Sequence, residues 1–179
     1  TMSKLNGTGK MEVLVDRSTD DAYNDPGNPM TEKNKYGRNV AKLINGSQLV
    51  MRGTGASSKG DLPFLNTFDI NTKETKQIWR CEEPFYESVT TVLDYEKLLV
   101  ITNKQSQSEQ PNYYLRDLKN NSAKAITAFP DPQPGLRGVT KQKITYKRKD
   151  GVDLAADLYL PKGYDAKKDG PLPVMMWAY

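Results

Sequence analysis

The sequence predicts a mainly β chain in two parts: a partial β-propeller over residues 1–130 and a second β unit over residues 140–179, joined by a linker at 131–139. Three observations carry this. Short strand-like runs recur with no capped helical period. Two strand–Asp–turn–Lys–strand segments match each other 48 residues apart. A proline-rich break then interrupts the pattern after Phe129.

The matching segments are Leu65 to Ile78 and Tyr113 to Ile126. Asp69 to Ile78 and Asp117 to Ile126 are each nine residues, and in such a hairpin the Asp side chain caps the polar turn. Their offset falls in the ~40–50-residue range of propeller blades. Each copy follows another strand signal. Ser47 to Arg52 follows the Asn45-Gly46 turn pair, and Leu98 to Thr102 follows Val89 to Leu93. Met11 to Val15 reads as an outer strand of an earlier blade. The count is about two blades and the tail of a third. A plain β-sandwich also gives short strands and turns; the repeat favours the propeller.

Residues 129–135, Phe-Pro-Asp-Pro-Gln-Pro-Gly, cannot continue a sheet interior. Beyond them lies a sharply patterned hairpin. Ile144 and Tyr146 alternate with Lys143, Thr145 and Lys147, and Asp150-Gly151 reads as a type I′ turn. Val152, Leu154, Ala156, Leu158 and Leu160 then share one face at period two, with Asp153 and Asp157 on the other. Pro161 stops the strand, and a Lys/Gly/Pro-rich loop leads to Val174-Met175-Met176-Trp177-Ala178-Tyr179. That continuous apolar run reads as a strand buried on both faces, and the chain as truncated there.

Composition limits the chemistry. The 179 residues carry 26 Lys and Arg against 22 Asp and Glu, a net charge of +4. The basic residues are scattered and no reader motif appears, so a nucleic-acid partner is not expected. No run approaches the ~18–20 apolar residues of a membrane span. Residues 1–15 contain no apolar signal-peptide core, which for an internal piece says nothing about export. Compartment and oligomeric state are not legible. Cys81 is the single cysteine and histidine is absent. Neither a Ser/His/Asp nor a Cys/His catalytic set can be built from this chain alone, nor can a zinc site of the usual His/Cys type. No metal or organic cofactor is expected.

Motifs that invite function read more simply as structure. Gly53 to Gly60 is glycine-rich, but the Walker spacing from Gly55 reaches Asp61 where Lys is needed, so a flexible hairpin loop is the better reading. Asp16, Asp20, Asp21 and Asp25 do not alternate as a calcium loop requires. The glycosylation triplets at Asn6, Asn45 and Asn120 fall where turns are expected.

The junction sequence resembles a known family. Lys147-Arg148-Lys149-Asp150-Gly151-Val152-Asp153-Leu154, then Leu158-Tyr159-Leu160-Pro161, Gly163-Tyr164 and Leu172-Pro173 before the apolar run, is similar to the propeller-to-hydrolase junction of prolyl oligopeptidase-family serine peptidases. Asp16-Arg17, Tyr23, Asp25-Pro26-Gly27 and Pro29 resemble the glutamyl endopeptidase branch, as do Leu62-Pro63-Phe64-Leu65 and Phe68-Asp69-Ile70-Asn71-Thr72. The resemblance implies that 1–130 are the C-terminal blades of the propeller and 140–179 the N-terminal strands of a truncated α/β-hydrolase domain. It implies a Ser-Asp-His peptidase acting on short peptides, chiefly after glutamate, with the triad beyond this chain. A peptide substrate is the one expected partner. One site residue carries over: Tyr179 matches the family's tyrosine that donates its hydroxyl to the tetrahedral oxyanion. A strand-end packing tyrosine is the alternative. The rival functions are a non-catalytic propeller scaffold and another α/β-hydrolase, such as an acyl-peptide hydrolase or esterase.

Overall fold

The computed structural model describes residues 1–4 and 6–178. It divides after Pro130 into two compact units, Thr1–Pro130 and Asp131–Tyr179. The chain is mainly β, and its strand pairings are antiparallel.

In the first unit, β1 (Asn28–Pro29), β2 (Thr31–Lys33), β3 (Asn39–Ala41), β4 (Leu43–Ile44), β5 (Gln48–Gly53), β6 (Phe64–Asp69) and β7 (Thr75–Arg80) follow in order. β1 and β4 lie on the same edge of β5, with Asn28 opposite Arg52 and Leu43 opposite Leu49. Together they fill one strand position, and the β2–β3 hairpin is an excursion out of it. With β6 and β7 this makes a four-position meander. A second meander follows from β8 (Tyr86–Asp94), β9 (Leu99–Gln105), β10 (Asn112–Asp117) and β11 (Ser122–Ala125), hydrogen-bonded in the order β11-β10-β9-β8.

Met30, Val50, Leu65, Val89 and Val100 form the core cluster, with Ile44, Ile78, Trp79, Val92, Tyr95 and Leu118 packed against it. Leu65 and Val100 are fully buried. Burying a Val or Leu side chain of this kind stabilises by about 1.5–3 kcal/mol.

Turn chemistry fixes the registers. Asn45 and Gly46 have φ of 51° and 77°, the left-handed pair that a type I′ turn requires. The repeated aspartates occupy one turn position. Asp69 Oδ1 accepts from the N–H of Asn71 and Thr72 at 2.9 and 3.2 Å; Asp117 Oδ1 accepts from Lys119 and Asn120 at 3.0 and 3.1 Å. Asp94 does the same for Glu96 and Lys97 at 2.9 and 2.8 Å. In each case the residue four further on, Lys73, Leu98 or Asn121, has positive φ.

The Gly53–Gly60 loop expected to be flexible is partly fixed. Gly55 is buried, accepts from Leu62 N at 2.9 Å and from Arg80 at 3.1 Å, and sits at φ 67° where a Cβ would strike the Leu62 carbonyl. The strand expected at Met11–Val15 is reduced to one antiparallel bridge between Met2 and Glu12. Met11 and Val13 are exposed, so no buried face holds a longer pairing there.

The second unit holds a 3-10 turn at Pro134–Leu136 and one hairpin, β12 (Thr140–Lys147) with β13 (Asp153–Leu160). Leu154, Ala156, Leu158 and Leu160 are half-buried and alternate with exposed Asp153, Ala155, Asp157 and Tyr159, the expected period. The type I′ turn is not formed. Gly151 alone is left-handed, Gly151 N donates to Arg148 O at 2.9 Å and Arg148 N to Val152 O at 2.8 Å. This is a three-residue loop with the glycine in the bulge position. Asp150 is instead clamped by Arg148 Nε and one terminal Arg148 nitrogen at 2.8 and 2.6 Å.

The apolar run also departs from expectation. Val174, Met175, Met176 and Trp177 form no strand and are 82–97% exposed. A doubly buried strand needs a ladder partner on an edge and a layer on each face, and among the described residues nothing supplies either.

Candidate functional site

A cleft of the first unit, about 640 Å³, opens beside β7 and the inward face of the second meander. Strand alternation puts Glu87 and Val89 of β8, Val100, Thr102 and Lys104 of β9, and Tyr114 and Arg116 of β10 on that face. Of these, Glu87, Lys104 and Arg116 line the cleft, while Val89 and Val100 belong to the core.

Glu87 is buried yet saturated. Arg116 Nε donates to Oε1 at 2.6 Å, an Arg116 terminal nitrogen donates to Oε2 at 2.8 Å, and Thr102 Oγ1 donates to Oε1 at 2.5 Å. This bidentate fork is the favourable geometry for a desolvated ion pair. The Glu87 carboxylate holds the Arg116 guanidinium charge and raises its pKa further. The guanidinium also lies 5.7 Å from the Trp79 ring centroid, which joins the two meanders through β7.

Cys81, at the end of β7, is buried. Its sulfur accepts from Glu87 N at 3.0 Å and faces the Phe85 carbonyl at 3.1 Å. Burial pushes the thiol pKa up, so it is not the thiolate a nucleophile needs. Lys104 Nζ stands 3.6 Å from the Phe85 ring centroid and 5.4 Å from that of Tyr114. Such a contact holds an ammonium without a counter-charge. The buried carboxylate of the cleft, Glu87, and its thiol are thus both engaged, while the other two carboxylates, Glu82 and Glu83, are exposed.

The candidate oxyanion donor, Tyr179, lies outside the described residues. Among the described residues no three His, Cys, Asp or Glu converge as metal ligands. Asp25 is paired to Arg17 at 2.8 Å, and Asp21 accepts from Asn24. No helix among the described residues is long and apolar enough to cross a membrane. The sequence reading missed Glu87 and Arg116. The available signal was a charged residue of each sign at an inward strand position.

No family model matches the chain. It is 41% identical over 180 aligned positions to a protein of Oryza sativa subsp. japonica named "Probable glutamyl endopeptidase, chloroplastic", covering 93% of this chain and 19% of the relative. An Arabidopsis thaliana protein of the same name is 40% identical over 181 positions with the same coverage. The chain therefore spans about a fifth of the length of these relatives. A crystal structure of puromycin hydrolase overlaps 68% of this chain and 17% of its own at 18% identity, with a TM-score of 0.37, too low to build on. The resemblance to the glutamyl endopeptidase branch, first carried by the junction and blade motifs, is borne out by the two named relatives.

Proposed function

We propose that this chain is a stretch of a serine-type peptidase that cleaves peptides after glutamate. Residues 1–130 are read as its last propeller blades, 131–139 as the linker and 140–179 as the first strands of its hydrolase domain. The observation that carries this is the 41% identity over 93% of the chain to a protein named as a glutamyl endopeptidase. The two meanders with one repeated Asp turn, and the division of the chain after Pro130, support the domain reading.

In this reading the nucleophile, its base and its orienting acid come from elsewhere in the parent. The chain has no histidine to take a serine proton. The blades screen substrates by size. Tyr179 supplies one hydroxyl to the developing oxyanion beside a backbone N–H donor.

The test uses the longer parent and the isolated chain side by side on a glutamyl peptide. The parent is expected to hydrolyse it and to be silenced by a serine-directed inhibitor; the chain alone is expected to be silent. Tyr179→Phe in the parent is expected to lower kcat and kcat/KM together by about 10–10³-fold, because the contact strengthens in the transition state. A parent with no hydrolysis, or a chain that turns over by itself, overturns the reading. Tyr179→Phe kinetics within about twofold of the parent remove Tyr179 from the site.

A further inference from the structure

The β2–β3 hairpin has a rigid base and a free tip of one charge sign. At the base, Met30 is buried in the core, its N–H donates to Val50 O at 2.7 Å, and its carbonyl accepts from Lys42 N at 3.3 Å. Glu32 is matched there by Lys42 Nζ at 2.9 Å, and both lie close enough to the half-buried Tyr95 to act on its hydroxyl. That consumes the hairpin's single carboxylate.

At the tip stand Lys33, Lys35 and Arg38, all exposed and without an ion-pair partner among the described residues. Between them Tyr36 is 74% exposed, with the Lys35 ammonium 5.0 Å from its ring centroid. The turn is held in one shape. Asn34 Oδ1 accepts from Tyr36 N at 2.9 Å and Arg38 N at 3.1 Å, and Asn34 N donates to Arg38 O at 2.9 Å. Gly37, at φ 74°, completes it. Three like charges on one ordered turn repel one another, and the one contact they make among the described residues is that of Lys35 with the exposed Tyr36 ring. A fixed turn, by contrast, costs a partner no ordering of these groups beyond their side chains.

We infer that the β2–β3 hairpin is a docking element for an acidic stretch of polypeptide, with Lys33, Lys35 and Arg38 matching its carboxylates and Tyr36 covering their apolar stems. The inference rests on the reading of the parent as a peptidase, whose substrate is a peptide. It places recognition of acidic character on the first unit. A polypeptide fits better than a nucleic acid, because one short turn is not the extended basic stripe that tracks a phosphate backbone.

The experiment measures binding without turnover. Fluorescence anisotropy of a labelled Glu-rich decapeptide is followed on the chain at about 50 mM salt, where surface charges still act across ~10 Å. A Gln-rich decapeptide is the neutral probe. Lys33→Gln, Lys35→Gln and Arg38→Gln together are expected to weaken Glu-rich binding roughly 5–50-fold, the range of three exposed charge contacts. Lys10→Gln, Lys124→Gln and Lys149→Gln together remove the same charge from exposed positions elsewhere and are expected to change it less than about twofold. Equal loss in both variants, equal binding of the Gln-rich probe, or tighter binding of a single-stranded oligonucleotide overturns the proposal. Failure of the peptidase reading shows instead as absent hydrolysis by the parent, which leaves this measurement untouched.

Discussion

The two units teach different lessons about what a β pattern alone can specify. In the first, two meanders bury Val50, Leu65, Val100 and Thr102 almost completely and meet where Arg116, held by Glu87, lies against the Trp79 ring and where Arg52 donates to the Val89 and Thr90 carbonyls. In the second, the β12–β13 hairpin pairs over eight residues on each strand, yet no described residue of that unit is buried. Local code is enough for the hairpin: alternation sets its faces and Gly151 sets its turn. It is not enough for a core, because a two-stranded ribbon has one apolar face and no layer to put it against. The exposed Val174–Trp177 run belongs to the same case.

The largest test of this contrast is the ion pair. Glu87→Leu leaves the Arg116 guanidinium and the Thr102 hydroxyl without their acceptor in a mostly desolvated place. The expected loss is about 3–5 kcal/mol, read from urea unfolding followed through Trp79. Pairing it with Arg116→Met is expected to recover most of that, since no charge then remains unmatched. If the single variant unfolds at the parent's midpoint, the pair does not hold the second meander together.

A side-chain truncation in each unit sharpens the comparison. Leu65→Ala opens a cavity in a packed site and is expected to cost about 2–5 kcal/mol. Leu158→Ala, on the half-buried face of β13, is expected to cost less than about 1 kcal/mol. In hydrogen exchange, the β12–β13 amides are expected to exchange before those of β6 and β9. Protection in β12–β13 equal to that of β6 would mean that the second unit is covered by more than its own hairpin.

The same contrast governs what could be read in advance. The Asp69 and Asp117 turns were legible because the Asp, the polar spacer and the following strand recur at one spacing. The equivalent turn at Asp94 was not, because its left-handed residue is Leu98, a type that gives no turn signal. The β2–β3 hairpin was hidden by three-residue strands with no apolar alternation. Glu87 and Arg116 are 29 residues apart, and only the register of β8, β9 and β10 brings them together. The Asp150-Gly151 pair named a turn but not its type, since the Arg148 clamp competes for Asp150. The candidate site shares this limit: Tyr179 was legible by resemblance alone and lies outside the described residues.

The smallest effect is the acid limb, and its sign follows from the turns. The Ser47 hydroxyl, then the Asn71 and Thr72 N–H groups, hold the Asp69 carboxyl below its ordinary value of 3.8. The Asn120 side chain and backbone do the same for Asp117, and the Lys97 N–H for Asp94. Each folded pKa is depressed, so the contribution is fully present above the unfolded value and constant toward neutrality. As pH falls through 3.8 the unfolded chain takes up protons first, and the contribution is gone once the folded carboxylates are protonated as well. Asp69→Asn, Asp94→Asn and Asp117→Asn together keep an acceptor at each turn but remove its titration. This variant is expected to be less stable at neutral pH and to lose less on acidification. Urea midpoints between about pH 6 and about pH 2.5 check it. Acid limbs that run parallel in parent and variant would assign the acid sensitivity to other carboxylates and leave these turns as hydrogen-bonded caps without a charge role.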